Sequence, residues 1–138
     1  MTRPRLNPLA IVLRWFAVLG WAGFIWWLMT LPEEEIPDVS SILVGDKLGH
    51  AAVFCVLGLL ICWAADKSFR ALSKTGVGVM SLLMATFYAI MSEVYQTSVG
   101  RDGDVLDALA DIIGAIAAYY LYFSPKLKTL LSRLRNAE

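Results

Sequence analysis

LAIVLRWFAVLGWAGFIWWLMTL, residues Leu9 to Leu31, holds a single charge, Arg14, in 23 positions. A helix rises about 1.5 Å per residue, so roughly 20 apolar residues cross the ~30 Å hydrocarbon layer of a bilayer. This segment is long enough to do so. Three more read the same way, at residues 48–65, 76–96 and 105–123. Strands are excluded because apolar and polar residues do not alternate. Four strands also cannot close a barrel, which would leave backbone groups unpaired in lipid. The first segment exceeds the roughly 7–15 apolar residues of a signal peptide, and no small-x-small site precedes Glu33, so a retained anchor is expected. The expected fold class is all-α: a polytopic membrane protein built as a four-transmembrane-helix bundle, one domain over residues 1–138.

Composition agrees. Of 138 residues, 58% are apolar or aromatic and 17% charged, against about 45–50% and about 25% in soluble domains. Disorder, a disulfide scaffold and an ordinary soluble enzyme domain fit poorly. Cys55 and Cys62 are seven apart on one span, about 10.5 Å along a helix axis, and cannot bridge each other. The 12 basic and 12 acidic residues cancel, so no bulk positive charge points to nucleic acid.

The charges are sorted along the chain. Arg3, Arg5, Arg14, Lys67, Arg70, Lys74, Lys126, Lys128, Arg133 and Arg135 fall on one side of the four spans, and only Lys47 and Arg101 on the other. Short loops rich in Lys and Arg stay in the cytoplasm. Both termini are therefore expected to be cytoplasmic. Ten of the twelve acidic residues, all but Asp66 and Glu138, then lie outside or in the outer ends of spans. Pro32–Gly45 reads as a solvated outer loop. Trp26, Trp27, Tyr119, Tyr120 and Tyr122 read as interfacial aromatic belts, and Arg14 and Asp66 as groups that snorkel or meet solvent.

The residues that hydropathy does not explain sit at the outer span ends: Lys47 and His50 on the second, Glu93 and Gln96 on the third, then Arg101, and Asp104, Asp107 and Asp111 leading into the fourth. Asp46 is placed to cap the second span. With about 100° per residue, Asp104, Asp107, Asp111, Gly114 and Ala118 fall within an arc of about 80°. An acidic stripe thus runs into a small-residue face suited to close helix contact. Glu93 and Gln96 share a face with Ala85 and Ala89, so these carboxylates are expected to point into the bundle. Arg101 and His50 are the natural partners for Glu93, Asp107 and Asp111, because ionised groups in a bilayer need partners. The cluster reads either as polar glue or as the lining of a cavity open to the outer face. One His and no converging Cys argue against structural zinc. No cofactor is expected, although the donors admit an oxygen-rich site for a divalent cation. No nucleophile motif or phosphate loop is present, so no catalytic residue is assigned.

With these residues in view the sequence resembles the VanZ-like family of small bacterial membrane proteins. The resemblance rests on D-K-L-G-H at Asp46–His50, on Ser92-Glu93-x-x-Gln96, and on Arg101, Asp107 and Gly114 in R-x-x-D-x-x-D-A-L-A-D-I-I-G, and it covers about residues 40–120. In the family pattern Asn is common where this chain has Asp111. The resemblance implies Lys47, His50, Glu93, Gln96, Arg101 and Asp107 as a family-like polar set. It also implies a place in the inner (cytoplasmic) membrane of a bacterium and a family-level link to resistance against teicoplanin, a glycopeptide that acts on the cell envelope.

The leading expectation is a protein that engages an envelope component, a lipid-linked or anionic headgroup, from the outer side. Arg101, Lys47 and His50 would meet the anion, while Glu93, Asp107 and Asp111 would orient them or hold a cation. An integral-membrane enzyme on a lipid-linked precursor, with His50 or Glu93 as general acid/base, is the alternative, and an ion- or proton-coupled carrier the second. Expected partners are membrane lipids or an envelope precursor, with a homo-oligomer allowed for. The charge sorting makes a direct prediction. Single cysteines at Glu34 and Gly100 should react with an impermeant reagent from outside intact cells, and those at Ser73 and Ser132 only after permeabilisation. Outside labelling of Ser73→Cys overturns the topology.

Overall fold

The computed structural model describes residues 7–30, 43–99, 104–125 and 129, with side chains from Lys47 onward in the second helix. The chain forms α1 (Pro8–Thr30), α2 (Leu43–Ser68), α3 (Lys74–Ser98) and α4 (Val105–Phe123). All four are long and apolar enough to cross a membrane, and no strand occurs among the described residues. The protein is an all-helical membrane bundle.

Local chemistry sets the helix ends. Asn7 Oδ1 accepts the Leu9 N–H at 3.0 Å, and Pro8 takes the first helical position, where a missing N–H costs nothing. Ser73 caps α3 by accepting the Gly76 N–H at 3.0 Å, and Asp104 caps α4 through the Leu106 N–H at 2.8 Å. The Ser124 N–H closes α4 on the Leu121 carbonyl, and Pro125 follows.

α2 departs from expectation. It starts at Leu43, so residues 43–45 are helix rather than loop and Asp46 lies inside α2 instead of capping it. Leu43 and Val44 are compatible with a helix and no proline separates them from His50, so the helix continues beyond the apolar span. At its far end α2 runs to Ser68, whose hydroxyl donates to the Ala64 carbonyl at 2.7 Å.

α2 is the centre of the bundle. Its residues Phe54, Leu57, Ile61 and Ala64 form one buried stripe, spaced three and four apart as a helix seam requires. The core joins them to Val18, Ile25 and Met29 of α1, Ala85 and Ala89 of α3, and Ala115 of α4. α1 runs antiparallel to α2, tied by Trp15 Nε1 to Ser68 Oγ at 2.9 Å and Trp21 Nε1 to the Val53 carbonyl at 3.0 Å. The Tyr88 hydroxyl of α3 donates to the Ala22 carbonyl of α1 at 2.5 Å, and Ser81 donates to the Gly58 carbonyl of α2 at 3.1 Å.

α4 lies on the side of α2 away from α1 and makes the most extensive contact in the fold. Lipid offers no hydrophobic drive between helices, so small residues that let backbones approach carry the packing. A Cβ on Gly114 would fall on the Ala51 carbonyl oxygen of α2, and one on Gly58 would lie 2.7 Å from the Ala118 Cβ. Gly78 of α3 lies under the Tyr119 ring.

The expected aromatic belt is partly drawn inward. Tyr119 covers Gly78, Tyr122 donates to Asp66 at 3.3 Å, and Trp26 stacks on Tyr95 with centroids 4.5 Å apart, while Tyr120 stays exposed. Arg14 and Asp66 are also engaged within the bundle. The Arg14 guanidinium sits 4.3 Å over the Trp63 ring and donates to the Trp63 carbonyl at 3.0 Å, and Asp66 also pairs with Lys67 at 3.2 Å. Near lipid such groups gain more from a neighbouring helix than from reaching for water. Both cysteines are free.

The Gly114 contact can be tested against Gly49, where a Cβ meets open space. Gly114→Ala should lower stability in detergent by about 1–3 kcal/mol, the usual range for overpacking, and Gly114→Leu by more. Gly49→Ala should be neutral or stabilising by up to ~1 kcal/mol, because alanine favours the helix. Equal thermal unfolding of Gly114→Ala and Gly49→Ala would contradict this packing.

Candidate functional site

The α2 seam does not end with its apolar residues. Continued backward from Phe54 by four and three, it reaches His50 and Lys47. On α4 the same alternation passes through Asp104, Asp107, Asp111, Gly114 and Ala118. The two helices run parallel and in register, so each α2 residue faces an α4 residue about 57–63 positions later, as the contacts below show.

Lys47 Nζ pairs with Asp104 Oδ2 at 2.6 Å and also with Asp107 Oδ1. One step deeper, His50 Nδ1 lies 3.1 Å from Asp111 Oδ1, and Nε2 lies 3.9 Å from Asp107 Oδ2. One step further the polar contacts stop at the close approach of Gly114 to Ala51. Burial rises with depth: the Asp104 side chain is 42% exposed, Asp107 12% and Asp111 0%.

α3 closes the cluster from the other side. Glu93 Oε2 accepts the Asp104 backbone N–H at 3.1 Å, so Asp104, Glu93 and Leu106 jointly tie up the first turn of α4. Ser92 and Gln96 are buried on the α3 face that also carries Ala85 and Ala89. Two buried carboxylate oxygens, Glu93 Oε1 and Asp111 Oδ2, accept no hydrogen bond among the described residues. Among the described residues four carboxylates here meet one lysine and one histidine.

The structure therefore brings together Lys47, His50, Glu93, Asp104, Asp107 and Asp111, with Gln96 on the adjoining face. Arg101 lies outside the described residues. Lys47, expected to meet an anion, is engaged with Asp104 and Asp107. No three His, Cys, Asp or Glu side chains among the described residues converge as a metal ion would require.

Two features escaped sequence reasoning. The Lys47 pairing was legible in principle, because Lys47 and His50 repeat the three-residue step of Asp104 and Asp107, but only a parallel α2–α4 contact makes those steps coincide. The second is a groove of about 530 Å³ between α3 and α4, lined by Ile90, Glu93, Val94, Thr97, Ser98, Val105 and Ala108. In sequence its apolar lining is indistinguishable from a lipid-facing surface.

The comparison that bears on this arrangement is a family model described as VanZ/LLP1, which matches residues 4–130. The chain belongs to the VanZ/LLP1 family. The match takes in every residue of the cluster and all four helices. Neither a curated protein nor a solved structure matches the chain. What distinguishes this VanZ/LLP1 protein is thus read from its own geometry.

Asp104 stands just before the membrane-spanning part of α4, and its carboxyl is held below the usual carboxylate range, first by Lys47 and then by the Leu106 N–H. A carboxylate whose folded pKa is depressed stabilises the fold fully above its unfolded pKa. That contribution is lost as pH falls through the lowered folded value. Carboxyl-carbon NMR should place the Asp104 midpoint below that of an ordinary aspartate, and Lys47→Met should move it upward. An unmoved midpoint would remove Lys47 as the main cause.

Proposed function

We propose that this VanZ/LLP1 protein engages a headgroup-bearing component of the cell envelope at the polar end of its bundle, with that end facing outward from a bacterial cytoplasmic membrane. The orientation rests on the sorting of Lys and Arg to the opposite side of the spans. The observation that carries the reading is the incomplete satisfaction of the cluster. Packing alone favours networks in which every buried polar atom is paired, because an orphaned one costs about 1–3 kcal/mol. Asp111 is fully buried, and one of its oxygens and one of Glu93 have no hydrogen-bond partner among the described residues. Such a deficit is retained where a ligand or proton completes it. An envelope ligand also accords with the family-level link to teicoplanin resistance.

A second reading is favoured by one contact. Asp111 behind His50 Nδ1 is the pairing that orients an imidazole for proton transfer at Nε2. On that reading the protein is an integral-membrane enzyme acting on a lipid-linked precursor, with His50 as general acid/base. Formation of a chemically altered lipid by wild type and not by His50→Gln would select it.

Lipid extracted from purified protein tests the main reading. Asp107→Asn and His50→Gln, the latter keeping a polar group beside the buried Asp111, should each lose co-purifying envelope lipid while unfolding within about 1 kcal/mol of wild type, since single interhelical polar contacts in membranes average ~0.6 kcal/mol. If either variant is destabilised as badly as Gly114→Leu with its lipid complement unchanged, the cluster is a packing device and the reading falls.

A further inference from the structure

The end of the bundle opposite His50 and Asp111 holds a second group of polar side chains. There α1 brings Arg14 onto Trp63 of α2, with the guanidinium 4.3 Å over the indole ring and one N–H on the Trp63 carbonyl at 3.0 Å. Helix carbonyls point toward the C-terminus, so this bond holds the guanidinium on the Ser68 side of Trp63, within about one turn of the end of α2. Both helices are long and apolar enough to span a bilayer. The guanidinium therefore lies beside the border of the hydrocarbon layer, where the anion at hand is a lipid phosphate.

A guanidinium carries five N–H donors. The Trp63 carbonyl takes one, and among the described residues no carboxylate and no other acceptor meets the rest. Asp66, the acidic residue of this end, instead pairs with Lys67 at 3.2 Å and accepts the Tyr122 hydroxyl at 3.3 Å. A charge beside hydrocarbon with unmet donors is costly unless a partner reaches it. The segments that continue the chain from this end, 1–6 and 126–138, carry Arg3, Arg5, Lys126, Lys128, Arg133 and Arg135 against one acidic side chain, Glu138. Residues 31–42 and 100–103 connect helices at the far end. Lys67 lies one turn beyond Trp63 on the same face of α2, and Val56 two turns before it. Val56 and Trp63 are 37% and 38% exposed. Cationic surroundings above an open apolar track suit an anionic headgroup with an acyl chain and repel an ammonium.

We propose that the α1–α2 surface at this end binds an anionic phospholipid, its phosphodiester on the remaining N–H donors of Arg14, its headgroup beside Lys67, and an acyl chain along Trp63 and Val56. The planar fork of an arginine matches two phosphate oxygens at once. The Trp63 ring and carbonyl hold that fork in place before the lipid arrives, which lessens the freedom lost on binding. The site is separate from the polar cluster at the other end of the bundle and does not rest on the reading of that cluster.

The test is native mass spectrometry of the full chain in detergent, titrated with phosphatidylglycerol and phosphatidylcholine of identical acyl chains. Phosphatidylglycerol should bind about fivefold tighter, the scale of one basic residue at an anionic lipid surface. Arg14→Gln should abolish most of that preference. Arg14→Lys, which keeps the charge but loses the fork, should reduce it. Lys74→Gln removes an exposed charge at the same end of the bundle and should leave the preference as it is. Glycerol phosphate, which has the phosphate without acyl chains, should not compete at equal concentration.

Equal binding of the two lipids overturns the proposal, and that comparison needs no variant to fold. So does a preference kept in full by both Arg14→Gln and Arg14→Lys. Equal losses in Arg14→Gln and Lys74→Gln would make the attraction a diffuse property of a basic helix end, and competition by glycerol phosphate would remove Trp63 and Val56 from the site. Either result overturns the proposal. The preference should persist in Asp107→Asn. Its loss there would move the anionic lipid to the opposite cluster, overturning this site while leaving the headgroup reading of that cluster intact.

Discussion

The approach of α4 to α2 at Gly114 is the contact on which the rest depends. No side chain separates that residue from the Ala51 carbonyl, so the two helices lie close enough for short acidic side chains to reach across. Asp107 and Asp111 are among the shortest ionisable side chains, and the Asp111 to His50 contact of 3.1 Å needs the helix axes near. Gly58 against Ala118 holds the same spacing further along the seam. Close packing and the polar cluster are therefore parts of one stripe. The apolar part supplies the contact energy, and the polar part receives the geometry it needs.

That coupling explains how charge is tolerated at this depth. A single charge at the centre of a bilayer costs about 2.5–3.5 kcal/mol on insertion scales, and stranding one partner of a buried pair costs about 3–5 kcal/mol. The chain answers with graded burial. Asp104 is half-exposed and bonded to Lys47, Asp107 is shared between Lys47 and His50, and only Asp111, against His50, is fully enclosed. Glu93 reaches in from α3 to the first turn of α4, where the positive end of the helix dipole favours a carboxylate. Among the described residues two buried acceptors, Glu93 Oε1 and Asp111 Oδ2, remain after these pairings.

α1 is a different kind of element. It carries a long apolar run broken only by Arg14 but contributes no side chain to the cluster and packs mainly on α2, through Val18, Ile25 and Met29 and the indole donors of Trp15 and Trp21. Much of its remaining surface is exposed apolar side chain, Leu13, Phe16, Leu19 and Trp27 among them, as suits a helix bounded by lipid. Its role is to cover the face of α2 that α4 leaves open and, through Ala22 and Trp26, to steady α3.

The four spans, the helical class and the gathering of ionisable residues at one end follow from the sequence alone. Each depends on a local property: the length of an apolar run against the thickness of a bilayer, and the direction in which successive helices must pass through it. The inward face of α4 was legible as well, because a period of 3.6 places Asp107, Asp111, Gly114 and Ala118 on one side whatever the helix packs against. Which helix it packs against was not. Nothing local says that Lys47 meets Asp104 and Asp107 instead of a ligand, that Glu93 closes the first turn of α4, or that Ile90, Val94, Val105 and Ala108 enclose a groove. These depend on the register between segments about sixty residues apart along the chain. That register is set by where small residues allow two backbones to touch, so only the tertiary structure could decide it.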